Sequence, residues 1–355
     1  MLGGKKKGKV FVGLSGGVDS AVSAALLQQQ GYEVVGVFIR IALPGYPCSA
    51  GVDKIDAMRV AAHLKIPFIE LDLSKDYEQE VFKTAIGEFE KGRTPNPDAL
   101  CNREIKFGKF YEFARAHGAD FVATGHYAQI INGELLMSAD TNKDQTYFLW
   151  MVSQEVLAHV LFPVGHLHKD EVRALAAKFG LPNAKRHDSQ GLCFLGDISM
   201  EDMLKQELIV ASGDVLSEEG QVVGVHDGAV LYTPGERHGF RLFAHTPDTK
   251  PHFVVATDVA KNTITVSPNK FPVGVTKTHV SLRDCNWIGE VSPGEYMARF
   301  RYRQKLIPIT LSIDGEKTMV ILHEPHHVPL GQSLVLYVGT RCIGGGILDE
   351  VYFTA

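Results

Sequence analysis

The chain has 355 residues, of which 45% are hydrophobic and 22% charged. This composition is that of an ordinary globular protein and excludes collagen-like, low-complexity and fully disordered classes. At roughly 150 residues per domain, the length predicts two to three domains. Lys and Arg number 36 against 41 Asp and Glu, a formal charge of −5, so any nucleic-acid site has to be a local basic patch.

Neither a membrane segment nor a disulfide framework is indicated. There is no apolar run of about 18 residues and no apolar segment with a cleavage site near the N-terminus. We therefore expect a cytoplasmic protein without membrane association. Five cysteines without CxxC pairs argue against a disulfide scaffold and against zinc; they are Cys48, Cys101, Cys193, Cys285 and Cys342.

The first half of the chain alternates strand and helix patterns. Strands are predicted at 10–14, 33–39, 67–73 and 121–124, and helices at 18–30, 53–64, 77–91, 105–117 and 169–179. The predicted strands are almost continuously apolar, which is typical of strands covered on both faces. The pattern predicts an α/β domain with a parallel sheet.

The second half reads as β structure. Short alternating runs punctuated by Gly, Pro, Asp and Asn predict strands at 222–226, 252–257, 263–267, 296–302, 307–313, 319–322, 333–338 and 346–353. We expect a catalytic α/β domain at residues 1–205, a small central β-rich domain at 206–275 and a C-terminal β-barrel at 276–355.

A glycine-rich segment, SGGVDS, joins the first strand to the first helix. Gly16 and Gly17 let the backbone approach an anion, and the hydroxyls of Ser15 and Ser20 add donors at the positive end of the helix. The segment lacks the lysine of the GxxxxGK[ST] loop, and it is not GxGxxG. It resembles the PP-loop of ATP pyrophosphatases, which release pyrophosphate, and Asp19 is a candidate Mg²⁺ ligand.

Two segments present cysteines in basic, turn-rich surroundings. In one, two prolines precede a predicted helix start that brings Asp98 and Cys101 three residues apart, and the helix dipole, Arg103 and Lys106 favour a thiolate at Cys101. In the other, a basic and glycine-flanked loop carries Cys193. For any lone cysteine the alternative is a small, inert core residue, which we expect for the remaining three.

Six further blocks are similar, in order and over almost the whole chain, to the tRNA-specific 2-thiouridylase family. They are GRTPNPDALCNREIKFG, ATGHYA, KDQTYFL, DSQGLCFLG, VGVHDGAVLYTPGERHG and RYRQ. The resemblance implies a PP-loop catalytic domain, a small central domain and a C-terminal β-barrel. The implied reaction uses ATP and Mg²⁺ to replace the C2 oxygen of the wobble uridine of tRNA with sulfur from a persulfide or sulfur-relay donor protein.

The resemblance also implies residue roles. Cys101 would be the nucleophile, Cys193 the persulfide carrier able to form a disulfide with it, and Asp98 a proton carrier. The residues implied to meet the target base are Asn96, Pro97 and Asp98. Those implied for the nucleotide are Gly13, Leu14, Ser15, Gly16, Gly17, Val18, Asp19, Ser20, Ile39 and Gly125. Those implied for other tRNA contacts are His126, Lys143, Asp144, Gln145, Arg301, Tyr302 and Gln332.

The sequence departs from the family pattern in places. Ser-Gln-Gly at 189–191 stands where Ser-Thr-Gly is expected, and Tyr-Thr-Pro-Gly-Glu-Arg at 232–237 where the family favours Gly-Gln-Arg. Ile41 and Ala42 replace polar and aromatic residues after the second strand. These departures concern the surface of the central domain and the adenine edge of the pocket.

A basic stripe is predicted on a strand of the C-terminal half. Period-2 alternation assigns Arg299, Arg301, Arg303 and Lys305 to one face and Phe300 and Tyr302 to the other. Like charges in a row repel unless an anion offsets them, which favours RNA binding over an ordinary solvated strand face. The patch could continue toward the active site, with phosphate contacts from Lys143, residues 185–187, and Arg103 with Lys106.

Two other functions remain compatible with parts of the sequence. An amide- or guanidine-forming PP-loop ligase accounts for SGGVDS but not for the two loop cysteines or the arginines. A tRNA-binding protein that has lost catalysis accounts for the arginines but not for the intact SGGVDS, Cys101 and Cys193.

Overall fold

The computed structural model describes residues 7–46, 50–187, 194, 198–244, 250–315 and 317–355. Its N-terminal region contains β1 (Lys9–Gly13), β2 (Glu33–Arg40), β3 (Phe68–Asp72), β4 (Phe121–Ala123), β5 (Ala128–Ile131), β6 (Glu134–Met137) and β7 (Val160–Leu161). Five of these strands form a parallel sheet in the order β3-β2-β1-β4-β7. The predicted parallel α/β sheet is confirmed.

Helices surround this sheet. They are α1 (Val18–Gln29), α2 (Ala50–Leu64), α3 (Ser74–Tyr77), α4 (Lys83–Glu90), α5 (Pro97–Cys101), α6 (Phe110–Ala116), α7 (Gln154–Leu157), α8 (Lys169–Lys178) and α9 (Met200–Glu207). Two π-helical turns, Glu78–Phe82 and Asn102–Lys109, join α3 to α4 and α5 to α6. The helix predicted to begin at residue 105 therefore belongs to a helical segment that starts at Pro97.

Alternate residues of the central strand pack into different cores. Val10 and Val12 belong to a cluster with α1 and α8, whereas Phe11 belongs to a second cluster with α5 and α6. Since successive strand residues point to opposite faces, the sheet is covered on both sides, as its continuous hydrophobicity predicts.

A small central sheet follows α9. Its strands are β8 (Gly213–Leu216), β9 (Val222–His226), β10 (Phe240–Leu242), β11 (Phe253–Asp258) and β12 (Thr263–Ser267). They are ordered β10-β9-β8-β12-β11, with β8 and β12 parallel and the other pairs antiparallel. Val215, Val254 and Ile264 form its own small core.

The C-terminal strands close into a six-stranded antiparallel barrel. They are β13 (Lys277–Trp287), β14 (Gly294–Arg299), β15 (Ile307–Asp314), β16 (Lys317–Leu322), β17 (Ser333–Val338) and β18 (Arg341–Thr354). Pairing of β13 with both β16 and β18 closes the barrel. The predicted barrel is confirmed, although the sequence pattern did not indicate β13.

The hairpin β5–β6 from the N-terminal region adds to the barrel sheet. Leu135 and Leu136 of β6 pair with Cys342 and Arg341 of β18. Backbone pairing therefore joins the α/β domain to the barrel and limits how the two can move relative to each other. None of the helices in the described ranges has the length and apolar character needed to span a bilayer.

Candidate active site

The loop between β1 and α1 is held by its own serines. The Ser15 N–H donates to Ser20 Oγ at 3.3 Å, Ser20 Oγ donates to the Gly17 carbonyl at 3.1 Å, and the Gly17 N–H donates to Ser15 Oγ at 3.3 Å. Gly17 is the residue at which α1 is capped. The loop thus lies against the first turn of α1, whose backbone N–H groups lack intrahelical partners, which is the usual setting for phosphate binding.

Two glycines allow the close packing of this loop. Gly16 has φ +79°, and a Cβ there would lie 2.5 Å from the Asp53 carbonyl oxygen. A Cβ on Gly125 would lie 2.7 Å from the Ser20 nitrogen. The structure therefore brings together the predicted nucleotide residues of the loop and Gly125, while Ile39 lies buried near the carboxyl end of the neighbouring β2.

Asp19, the candidate Mg²⁺ ligand, is held by two residues from other elements. Lys169 Nζ lies 2.8 and 2.9 Å from its two carboxylate oxygens, and the Tyr127 hydroxyl donates to Oδ1 at 2.8 Å. Lys169 is the first residue of α8. Sequence reasoning missed both partners because they lie 150 and 108 positions from Asp19.

The residues around Asp19 fit a magnesium ion that is held largely by phosphates. Mg²⁺ in nucleotide enzymes is usually bound by one or two carboxylates together with substrate oxygens and water. Asp19 supplies one carboxylate beside the loop. Within the described part of the chain, no three or more His, Cys, Asp or Glu side chains are grouped as metal ligands, so an all-protein metal site is absent there.

The segment after α8 contacts the same loop. Asn183 Nδ2 donates to the Gly16 carbonyl at 2.7 Å, and Arg186 binds the carboxylates of Asp53 and Asp56. Arg186 is only a quarter exposed. The prediction that this segment extends a basic RNA-binding patch is therefore wrong for Arg186, because two α2 carboxylates already neutralise its charge.

A cavity of about 460 Å³ lies where the three domains meet. Asn96, Pro97 and Asp98 line it from the α/β domain, and Arg301, Tyr302 and Gln332 line it from the barrel domain. These are the three residues predicted to meet the target base and three of those predicted for tRNA contacts. Sequence positions more than 200 residues apart thus converge on one cavity.

The wall of this cavity is fixed by contacts between domains. Asn96 caps α5 by accepting from the Ala99 N–H at 3.2 Å, and its Nδ2 donates to Ser333 Oγ at 3.1 Å. The Tyr147 hydroxyl lies 3.0 Å from Gln332 Oε1. Burial raises the pKa of Tyr147 well above its ordinary value, so this hydroxyl stays protonated and can donate.

The central domain supplies the remaining wall. Tyr232, Thr233 and Glu236 line the cavity, and Thr233 Oγ1 lies 3.3 Å from Thr94 Oγ1 of the α/β domain. Desolvation raises the pKa of Glu236 above its usual value. These three residues belong to the segment 232–237, which departs from the family pattern. That departure is the sequence signal that could have identified them as lining residues.

Cys101 occupies the last position of α5 and is fully buried. It lies one helical turn beyond Asp98 but does not line the cavity. Cys193, like Cys48, lies outside the described residues, so the predicted disulfide between Cys101 and Cys193 stays a prediction. Burial raises the pKa of Cys342 to about 12 and also raises the pKa of Cys285, which keeps both thiols protonated at neutral pH.

The predicted basic stripe is wrong as a strand face. Strand β14 ends at Arg299, and residues 300–306 form a turn in which Arg303 has φ +61°. The side chain of Gln304 accepts from the backbone N–H groups of Phe300 and Arg301 at 2.9 and 3.1 Å, which stabilises the turn. The turn still exposes Arg301, Arg303 and Lys305, whereas Arg299 is buried.

Arg299 instead pairs with Asp144, one of the residues predicted to contact tRNA. Both side chains are almost fully buried, at 6% and 1% exposure. Arg299 also donates to the Tyr337 hydroxyl at 2.7 Å and to Thr146 Oγ1 at 3.1 Å. The Asp144 carboxylate thus joins the α/β domain to the barrel, and it is not at the surface where RNA would meet it.

The other predicted tRNA residues of the α/β domain lie beside this network. Gln145 accepts from the Tyr127 N–H at 2.9 Å, and Lys143 is half-buried in the preceding turn. Burial, with a contribution from Lys106, lowers the pKa of His126 well below its ordinary value. A neutral His126 accepts from the Lys106 ammonium at Nε2, 3.5 Å away, and donates from Nδ1 to Thr124 Oγ1, 2.7 Å away. A role of these residues in tRNA binding stays a prediction.

Comparison with known proteins matches nearly the whole chain. Family models described as tRNA methyl transferase HUP domain, tRNA methyl transferase PRC-barrel domain and aminomethyltransferase beta-barrel domain match residues 8–197, 201–268 and 277–348. The tRNA-specific 2-thiouridylases MnmA of Streptococcus thermophilus and Enterococcus faecalis are each 41% identical over 98% of this chain and 96% of theirs. A solved 4-thiouridine synthetase in complex with RNA and ATP is 18% identical over 56% of this chain and 50% of that chain, with a TM-score of 0.34.

A parallel sheet with a glycine-rich, lysine-free phosphate loop between its central strand and the next helix defines the class of the PP-loop ATP pyrophosphatases. The central sheet and the closed barrel that accompany this domain restrict the choice to fewer families within that class. The chain belongs to the tRNA-specific 2-thiouridylase family, as the sequence resemblance predicts.

Proposed function

We propose that this protein is a cytoplasmic transferase that uses ATP and Mg²⁺ to convert the wobble uridine of tRNA into 2-thiouridine. The observation that carries the proposal is the cavity shared by Asn96, Pro97 and Asp98 with Arg301, Tyr302 and Gln332. Its volume of about 460 Å³ is within the range of pockets that hold small ligands, and a single nucleotide base drawn out of the anticodon stack is a ligand of that size class.

We place the domain boundaries near residues 205 and 275.

ATP is needed because the C2 carbonyl of uracil is a poor electrophile without a leaving group. Attack of O2 on the α-phosphorus forms an adenylate and releases pyrophosphate, so AMP becomes the leaving group. Ser15, Ser20 and the backbone at Gly16 and Gly17 would hold the departing pyrophosphate. Asp19 would hold the magnesium ion, which when bound neutralises phosphate charge. Asp98 would move a proton at the base.

Sulfur transfer follows in balanced steps. The terminal sulfur of a Cys193 persulfide attacks C2 and AMP departs, and the Cys101 thiolate then attacks Cys193 Sγ. The S–S bond of the persulfide breaks, its outer sulfur stays on C2, and a Cys101–Cys193 disulfide forms. A thiol reductant supplies two electrons to open the disulfide, and a persulfide-donor protein reloads Cys193. Because Cys101 is buried, the step also requires a movement that exposes its thiol.

Ser20→Ala should abolish adenylation. The substitution removes the hydroxyl that accepts from the Ser15 N–H and donates to the Gly17 carbonyl, so the loop loses its internal support and one donor. We expect tRNA-dependent pyrophosphate release to fall by two or more orders of magnitude, as for other lost oxyanion donors, with tRNA affinity measured in parallel as the control. Wild-type rates of release in the variant would refute the assignment of the loop.

Arg301→Ala should weaken tRNA binding in a salt-dependent way. Arg301 is exposed on the turn after β14 and lines the cavity. If it meets a phosphate, the slope of log affinity against log salt should decrease by roughly one unit. The matched control is Lys317→Ala, at the start of β16, where it pairs with Asp314 at the far end of β15 from this turn; this variant should leave the slope unchanged. Equal slopes for Arg301→Ala and wild type would contradict the proposed contact.

A further inference from the structure

The charged residues within the phosphate loop do not by themselves favour phosphate binding. It lacks the lysine with which GxxxxGK[ST] loops neutralise phosphates, and it carries Asp19 in the first turn of α1. A carboxylate beside a polyphosphate is repulsive unless a cation lies close to both. In the described structure the cation beside Asp19 is Lys169, whose ammonium lies within 2.9 Å of both Asp19 oxygens.

The position of Lys169 is set by several contacts. Its backbone N–H donates to Asp140 Oδ2 at 3.1 Å, which fixes the start of α8, and α8 packs on α1. Its side chain is 12% exposed, and its Nζ lies 5.8 Å from the centroid of the Tyr127 ring. The ammonium is thus held beside the phosphate loop in a site largely shielded from water, where charge interactions are stronger than at the surface.

We propose that Lys169 is a pyrophosphate-binding residue, supplied by α8 in place of the lysine that the loop lacks. This inference rests on the proposed function and adds a residue to it. Without nucleotide, Lys169 offsets the charge of Asp19. With nucleotide bound, Asp19 would hold Mg²⁺, whose charge would neutralise the carboxylate, and the flexible lysine side chain would carry its charge to a phosphate oxygen.

A role as counter-ion alone makes a different prediction from phosphate binding. If Lys169 served only as the counter-ion of Asp19, its removal would matter only while Asp19 is charged. If it binds phosphate, its removal weakens pyrophosphate binding even when Asp19 is already neutral. The two roles therefore separate in an Asp19→Asn background.

The test is isothermal titration of the full chain with inorganic pyrophosphate and Mg²⁺, and separately with adenosine. Lys169→Met should bind pyrophosphate about 10- to 100-fold more weakly than wild type, the loss expected for one charge-assisted hydrogen bond. Asp19→Asn/Lys169→Met should bind it more weakly than Asp19→Asn by a similar factor. Adenosine affinity should stay unchanged, because adenosine has no phosphate. Lys178→Met, at the exposed end of the same helix, is the matched control and should match wild type.

Equal pyrophosphate affinities of Asp19→Asn and Asp19→Asn/Lys169→Met would overturn the inference and leave Lys169 as a counter-ion only. The double variant contains no unpaired buried charge at this pair, so it remains interpretable if Lys169→Met alone fails to fold. If wild type itself binds neither pyrophosphate nor ATP, the proposed function fails, which is a different outcome from equal affinities in the variants.

Discussion

Cys101→Ser should eliminate multiple-turnover formation of 2-thiouridine while leaving adenylation of tRNA intact. In the proposed cycle, Cys101 acts after the persulfide sulfur has reached C2, so the variant should release pyrophosphate and stall with the base attached to Cys193. Serine is too weak a nucleophile toward sulfur to replace the thiolate. The measurement is nucleoside mass analysis over time, combined with intact-mass analysis of the protein.

Cys285→Ser is the control for this experiment. Cys285 is half-buried in β13, and burial raises its pKa, so a change there should not alter turnover. Normal multiple turnover in Cys101→Ser would refute the assignment of the nucleophile. A Cys101–Cys193 disulfide that appears in wild type only after turnover with tRNA would support the pairing that the resemblance implies.

Arg299→Met should destabilise the protein by about 3–5 kcal/mol, because it leaves the Asp144 carboxylate buried without its cation. Arg299 and Asp144 are 6% and 1% exposed and join the barrel to the α/β domain. Chemical denaturation followed by circular dichroism measures the free energy of unfolding. The double variant Arg299→Met/Asp144→Leu should recover much of the loss, since it removes both buried charges.

An exposed ion pair between the same two parts of the molecule provides the control. Arg341 of β18 binds Glu134 of β6 at 2.6 Å, but the two side chains are 40% and 48% exposed. Exposed pairs of this kind contribute about 0–1 kcal/mol, so Arg341→Met should change stability little. A loss below about 1 kcal/mol for Arg299→Met would contradict the stabilising role assigned to the buried pair.

Local patterns explain what the sequence could predict. Strand β1, the glycine-rich loop and α1 follow one another without interruption, so an apolar run, a turn and a helical pattern identify all three. The same applies to Pro97–Cys101, where the prolines at the helix start are a local signal. These elements agree with the structure to within a few residues.

The errors arise where a local pattern competes with a distant contact. Alternation of charged and aromatic residues extends past Arg299, but the Gln304 side chain binds the backbone of Phe300 and Arg301 and favours a turn. Arg299 then pairs with Asp144, 155 positions away. Strand β13 was missed because the alternation of Thr278, Val280 and Leu282 on its buried face ends at an irregularity around Asp284, which has φ +50°.

The site itself could be predicted only in part, for the same reason. The motifs identify Asp98 and Arg301 separately, but their convergence on one cavity depends on packing of the barrel against the α/β domain. Lys169 lies in a helix with no recognisable site motif, and it reaches Asp19 only because α8 packs on α1.

The proposed thiolation of the wobble uridine is tested most directly by mass analysis of the nucleosides of tRNA after incubation with the purified protein, ATP, Mg²⁺ and a persulfide donor carrying ³⁴S. We expect 2-thiouridine at the wobble position, containing ³⁴S and formed only when ATP is present. Pyrophosphate and AMP should each accumulate in a one-to-one ratio to the thiolated base. Unmodified uridine in the complete reaction, or thiolation that proceeds without ATP, would contradict the proposed ATP-dependent thiolation of tRNA.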